Sequence, residues 1–184
     1  MELTGKLLIA MPGIGDPRFG NAVIFLCSHD ADGAMGLIIN KMAPGILLKT
    51  LFDQLEIEAK RGPSRSRIYF GGPVETQRGF VLHSDEYIST VNSLPVKPGF
   101  SMTATLDVLE EIAEGRGPEH YMVMLGYAGW GPGQLEAEIA ENGWLTAEAD
   151  PDMIFTSPAD EKWEAALASI GVAPLTLSMD AGRA

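Results

Sequence analysis

The sequence predicts an α+β domain built on a mixed, largely antiparallel sheet with flanking helices, and three observations lead there. Two apolar runs, residues 21–28 and 34–40, flank a turn holding Asp32-Gly33, which is the pattern of an antiparallel hairpin. Strand-like and helix-like segments then follow in no regular alternation, which argues against a purely parallel, doubly wound sheet. The chain has 184 residues, 46% hydrophobic and 21% charged, enough for one full core, and no linker divides it. Residues 1–184 therefore read as a single domain, with 175–184 a loosely held tail.

The elements follow in chain order. Leu7–Met11 is a buried strand stopped by Pro12-Gly13. Asn21–Ser28 is apolar on both alternating faces, as a central strand is. Leu47, Leu48, Leu51, Phe52 and Leu55 fall at helical spacing and predict an amphipathic helix over 46–56. Residues 60–67 form a polar loop. Ile68–Phe70 and Phe80–Leu82 are short strands around the Gly71-Gly72-Pro73 turn, and 85–98 is an irregular connection. A short strand at 101–104 leads into a helix carrying Leu106, Leu109, Ile112 and Ala113 and ending at Gly115. Tyr121–Leu125 is a buried strand, 126–133 a glycine-rich turn, and 134–141 a helix ended by Asn142-Gly143. Met153–Phe155 reads as a strand. Ser157-Pro158 opens a last helix with Trp163, Ala166, Leu167 and Ile170 as its buried stripe and Gly171 as its stop.

Charge narrows the function classes. The net charge is −12, which opposes direct binding to nucleic-acid phosphates and to anionic membranes. It is unevenly spread: Lys60, Arg61, Arg65 and Arg67 form a basic run, either a solvated loop or a contact for an acidic partner, while residues 117–161 hold nine carboxylates and no Lys or Arg. The single cysteine, Cys27, can form no intrachain disulfide and fits a reducing, cytoplasmic compartment. No apolar run approaches the roughly 18 residues that a membrane span needs. Phosphate-loop, zinc-protease, paired-cysteine, calcium-loop, nucleophile-elbow and basic helix-turn-helix patterns are all missing, so no cofactor is predicted.

Ordered short segments then point to a family. They are Leu8-Ile-Ala-Met-Pro12, Asp16-Pro-Arg-Phe19, Cys27-Ser-His29, Asp32-Gly-Ala-Met-Gly36, Ile39-Asn-Lys41, Gly71-Gly-Pro-Val74 and Arg78-Gly-Phe-Val-Leu-His83. Asp107-Val-Leu109, Leu125-Gly-Tyr-Ala-Gly-Trp130, Gly133-Gln-Leu-Glu136, Asn142-Gly-Trp-Leu145 and Ala149-Asp150 complete the series. Over roughly residues 5–184 the chain resembles the AlgH/YqgE family of bacterial proteins. The resemblance implies a sheet curled into a pseudo-barrel with helices outside. It also implies a cytosolic protein whose relatives often carry the label of transcriptional regulator, and it brings no established active site. The chain departs from the family pattern at Ala104-Thr-Leu106, where a polar run ending in Arg is usual, and at Arg183, where His is common.

Several residues could carry chemistry. Cys27 and His29 are two apart on a strand and so are expected on one face, as nucleophile and base or as metal ligands with Asp30 or Asp32. The alternative is an inert buried thiol beside a turn histidine. His83, next to Ser84 and Asp85, reads either as a base or as a packed strand-end histidine. The segment Gly129, Trp130, Gly131, Gly133 and Gln134 leads into a helix N-terminus that could hold an anion, or is a tight turn with Trp130 over the core. It fails the dinucleotide fingerprint, because Glu136 stands at the third glycine position and Pro132 removes an N–H. Asp16 and Arg18 read as an ion pair pinning a loop, or Arg18 as a contact for an acidic ligand group. Together these residues favour a non-enzymatic binding or regulatory domain, acting through a protein partner or a small anionic ligand and only indirectly on transcription. The alternative is a hydrolase or thiol-dependent enzyme using Cys27, His29 or His83.

Overall fold

The computed structural model describes residues 2–61 and 66–177. Arg65, within the basic run, and Arg183 with most of the expected tail lie outside the described residues. Among the described residues there are ten strands: β1 (Lys6–Ala10), β2 (Val23–Asp30), β3 (Gly33–Ile38), β4 (Met42–Leu47), β5 (Arg67–Phe70), β6 (Val74–His83), β7 (Leu94–Lys97), β8 (Phe100–Thr103), β9 (Tyr121–Trp130) and β10 (Trp144–Glu148). Five helices accompany them: α1 (Leu48–Gln54), α2 (Leu106–Glu114), α3 (Gln134–Ala140), α4 (Pro151–Thr156) and α5 (Lys162–Ser169).

The strand order is β10-β1-β2-β3-β9-β6-β8-β7, with β5 pairing β9 and β4 pairing β5. All described pairs are antiparallel except β5 with β9. The mixed, largely antiparallel sheet is thus as expected. It curls without closing into a barrel: β10 and β7 are the ends of the order and share no backbone pairing. Side chains bridge them instead, since Glu148 on β10 pairs with Lys6 on β1 and, at 3.4 Å, with Lys97 on β7.

Three apolar layers explain why the strands are hydrophobic on both faces. The concave face packs Leu7, Ile9, Phe25, Leu37, Leu82, Phe100 and Met124 against Ile154 of α4 and Ala166 and Leu167 of α5. The outer face of β1–β3 packs Leu8, Ile24, Leu26 and Ile38 under Leu135 of α3, with Trp130 and Trp144. The outer face of β6 and β9 packs Val81 and Val123 under α1 and α2. Each such buried aliphatic side chain contributes about 1.5–3 kcal/mol.

One crossing in the sheet requires glycine. The turn after β5 runs directly over β9, and a Cβ on Gly72 would lie 2.0 Å from the Tyr127 carbonyl carbon. Opposite it, Gly126 has φ +73° and would place a Cβ 2.3 Å from the Gly72 oxygen. Both positions exclude any side chain, so the glycines serve backbone approach rather than ligand contact.

Several elements differ from expectation. Met153–Phe155 lies in α4, not in a strand, because Asp150 caps the helix by accepting from the Asp152 N–H at 3.1 Å and Pro151 fits its first turn. The last helix begins at Lys162 rather than at Ser157-Pro158, after a 3-10 turn over Ala159–Glu161. Ile170 is 37% exposed rather than part of the buried stripe. The glycine-rich segment 126–130 continues β9. The helix expected over 46–56 starts at Leu48 because residues 42–47 pair as β4. Strand β6 extends to Val74, and β7 and β10 are strands that sequence patterning does not mark.

Candidate functional site

A cleft of about 600 Å³ lies between the loop after β1, the end of β9, and α3 with the start of β10. It gathers Asp16, Arg18, Gly129, Trp130 and Gln134 from the sequence-derived candidates, and adds Phe19, Glu138, Glu141 and Trp144. Gly131 and Gly133 form the turn beside it.

Each side chain is placed by local chemistry. Asp16 caps the 3-10 turn Pro17–Phe19 by accepting from the Arg18 N–H at 2.9 Å. The same carboxylate receives the Arg18 guanidinium, with Nε at 3.0 and 3.1 Å and Nη2 at 2.6 Å. This guanidinium holds Asp16 below the usual carboxylate range. Arg18 is therefore internally neutralised, although its side chain is 58% exposed.

Glu138 organises the opposite wall. Its Oε2 accepts from the indole N–H of Trp130 at 2.9 Å and of Trp144 at 2.8 Å. Its Oε1 accepts from the Gln134 amide at 2.9 Å, one helical turn away. The Trp130 and Trp144 rings meet edge to face at 6.0 Å, and Phe19 meets Trp144 likewise at 5.7 Å. The result is an aromatic wall held by one carboxylate. Sequence reasoning missed Glu138; the usable signal was its position four residues after Gln134, on the same helical face.

The helix N-terminus offers little to an anion. The Gly131 N–H already donates to Gln134 Oε1 at 3.0 Å, and Glu136 sits in the first turn of α3. The cleft lining carries Asp16, Glu138 and Glu141 against Arg18 alone, so its charge favours a cation.

The histidines and the cysteine lie elsewhere. Cys27 and His29 do not share a face. The β2–β3 register slips between Leu26 and Ser28, so Cys27 is a bulge residue and parity reverses after it. Cys27 packs into the concave core, where burial pushes its thiol up to about 12. His29 points to α3, and its Nε2 lies 2.8 Å from Glu136 Oε1. His83 is fully buried; its Nδ1 pairs with the Ser84 carbonyl and its Nε2 with the Thr103 hydroxyl, each at 2.8 Å. Burial lowers its pKa against the raising effects of the Ser84 carbonyl, Glu86 and Asp85. Among the described residues no group of three or more His, Cys, Asp or Glu could hold a metal ion. No helix of the described residues is long and apolar enough to cross a membrane.

Comparison with known proteins adds ancestry to this geometry. A family profile described as AlgH-like matches residues 7–175. A UPF0301 protein from Ruegeria pomeroyi is 60% identical over the whole of both chains, and one from Jannaschia is 54% identical over all of this chain and 96% of its own. The solution structure of the AlgH protein from Pseudomonas aeruginosa superposes with a TM-score of 0.80 at 42% identity, covering 100% of this chain and 97% of that one. A crystal structure of a Corynebacterium diphtheriae protein shares the fold at TM-score 0.76 and 21% identity, covering 95% and 91% of the two chains.

Proposed function

The chain belongs to the AlgH-like family, and on that premise we propose that it is a non-enzymatic binding domain whose cleft engages a basic segment of a protein partner in the cytoplasm. The observation that carries this reading is the pairing of an aromatic wall, Phe19, Trp130 and Trp144, with an excess of carboxylates in one cleft. A cationic side chain of the partner gains Coulomb attraction from the carboxylates there and apolar contact with the half-buried Phe19 ring, which the buried Trp130 and Trp144 back. Cys27, His29 and His83, the groups an enzymatic reading needs, occupy three separate environments outside this cleft. Any effect on transcription then passes through the partner, because the net charge of −12 opposes contact with DNA.

Indole emission from Trp130 and Trp144 reports on the cleft directly. Titration with short Arg-containing peptides is expected to give a saturable change that the Glu-substituted counterparts do not give, and that Glu141→Lys weakens. Tight binding to duplex DNA at moderate salt, or equal response to the acidic peptides, overturns the proposal.

A further inference from the structure

A second cavity, of about 240 Å³, lies away from the cleft and shares no residue with it; it is lined by Met42, Ser66, Arg67, Tyr69, Tyr121, Met122 and Val123. We propose that this cavity binds a small organic carboxylate. Among the described residues the lining includes one arginine and three hydroxyl-bearing residues and no acidic residue, in a protein whose net charge is −12. Arg67 is exposed and, among the described residues, forms no ion pair, in contrast to Lys60, which pairs with Glu114 at 3.0 Å, and Arg116, which pairs with Glu111 at 3.1 Å. A guanidinium left open in this way matches the two oxygens of a carboxylate. Met42, Met122 and Val123 offer apolar contact for a short hydrocarbon body. The volume falls below the range of about 300–1,000 Å³ typical of drug-sized sites, which points to a metabolite-sized ligand.

An independent observation marks the inner wall. Lys162, the first residue of α5, is 1% exposed. Its Nζ lies 5.3 Å from the Tyr69 ring centroid and 3.9 Å from Met122 Sδ, so it stands behind two of the side chains that line the cavity. For three N–H donors it has one oxygen acceptor, the Ile39 carbonyl at 3.1 Å, and that sulfur. Desolvation brings its pKa down to about 8, which is the mark of a buried cation without a counter-charge. An anion in the cavity supplies that counter-charge across a wall of low dielectric. Of the basic run, Arg67 lines the cavity from the start of β5, while Lys60 pairs with Glu114 of α2.

The experiment titrates the full chain with butyrate, with butyramide as the neutral isostere, and with inorganic phosphate. It follows backbone amide shifts at 66–70 and 121–123 and the Lys162 side-chain signal by NMR. Butyrate is expected to saturate, with butyramide and phosphate weaker by at least about tenfold. The Lys162 pKa is expected to rise on saturation, and Arg67→Gln, at an exposed position, to weaken butyrate by about tenfold without loss of fold. Tyr69→Phe, which keeps the ring, is expected to weaken it less. Absence of a saturable butyrate response, an equal response to butyramide, tighter binding of phosphate, or unchanged affinity in Arg67→Gln each overturns the assignment. None of these outcomes involves the aromatic cleft, so they bear on this cavity alone.

Discussion

Replacing Lys162 with methionine removes a buried cation and keeps an unbranched apolar side chain one heavy atom shorter. The magnitude follows from the surroundings of its ammonium. A fall in pKa from 10.5 to about 8 corresponds to about 3 kcal/mol by which burial disfavours the charged form. The variant escapes that penalty but leaves the Ile39 carbonyl without its donor, which costs about 1–3 kcal/mol. The expected result at pH 7 is a protein at least as stable as the parent, and by up to about 2 kcal/mol more so. The pH dependence is sharper. Between pH 8 and 10.5 the unfolded chain holds a proton on Lys162 that the folded chain has released, so parental stability rises with pH over that window. Below pH 8 both states are protonated and the penalty is constant. Denaturant unfolding at half-unit steps from pH 7 to 10.5 gives the two stability curves. Their difference is expected to change by about 1.4 kcal/mol per pH unit within the window. Parallel curves, or a Met variant that is less stable by several kcal/mol at pH 7, refute the reasoning.

Cys27, with its thiol raised to about 12 by burial, is expected to resist iodoacetamide in the folded protein at neutral pH and to react promptly in denaturant, as mass spectrometry will show. Glu138→Ala strips the acceptor from two indole N–H groups whose residues are 7% and 2% exposed; a loss of about 2–4 kcal/mol in denaturant stability is expected, with a red shift of tryptophan emission, and Glu138→Gln should recover part of both. His83 is lowered by burial, so below pH 6.5 the unfolded chain binds a proton that the folded chain refuses. Stability is therefore expected to fall as pH drops through 6.5, and His83→Gln to flatten that part of the curve when unfolding is measured from pH 7 to 5.

The local chemistry of the chain was legible wherever neighbouring residues decide the structure. The β2–β3 hairpin follows from two apolar runs around a turn holding Asp32-Gly33, and α2 from its apolar spacing and from Gly115, whose φ of +76° suits a residue without a Cβ. Asp150-Pro151 carried an equally local signal for α4, but the apolar triplet Met153–Phe155 reads as a strand when taken without its cap. Lys162 stands four residues before Ala166, so the helical period places it on the buried stripe. Reading charge as exposure hides that.

What the sequence by itself determined is the family, the α+β class and the net negative charge, because each depends on residue order and composition. Only the tertiary structure decided which polar groups meet. The bulge at Cys27 turned His29 away from it, the crossing of the Gly72 turn over Gly126 fixed the two glycines, and Glu138 joined two tryptophans from different strands. A one-residue slip in register reverses every later side chain on a strand, and a cleft forms from segments far apart in the chain. Neither is encoded in any window short enough to be read locally.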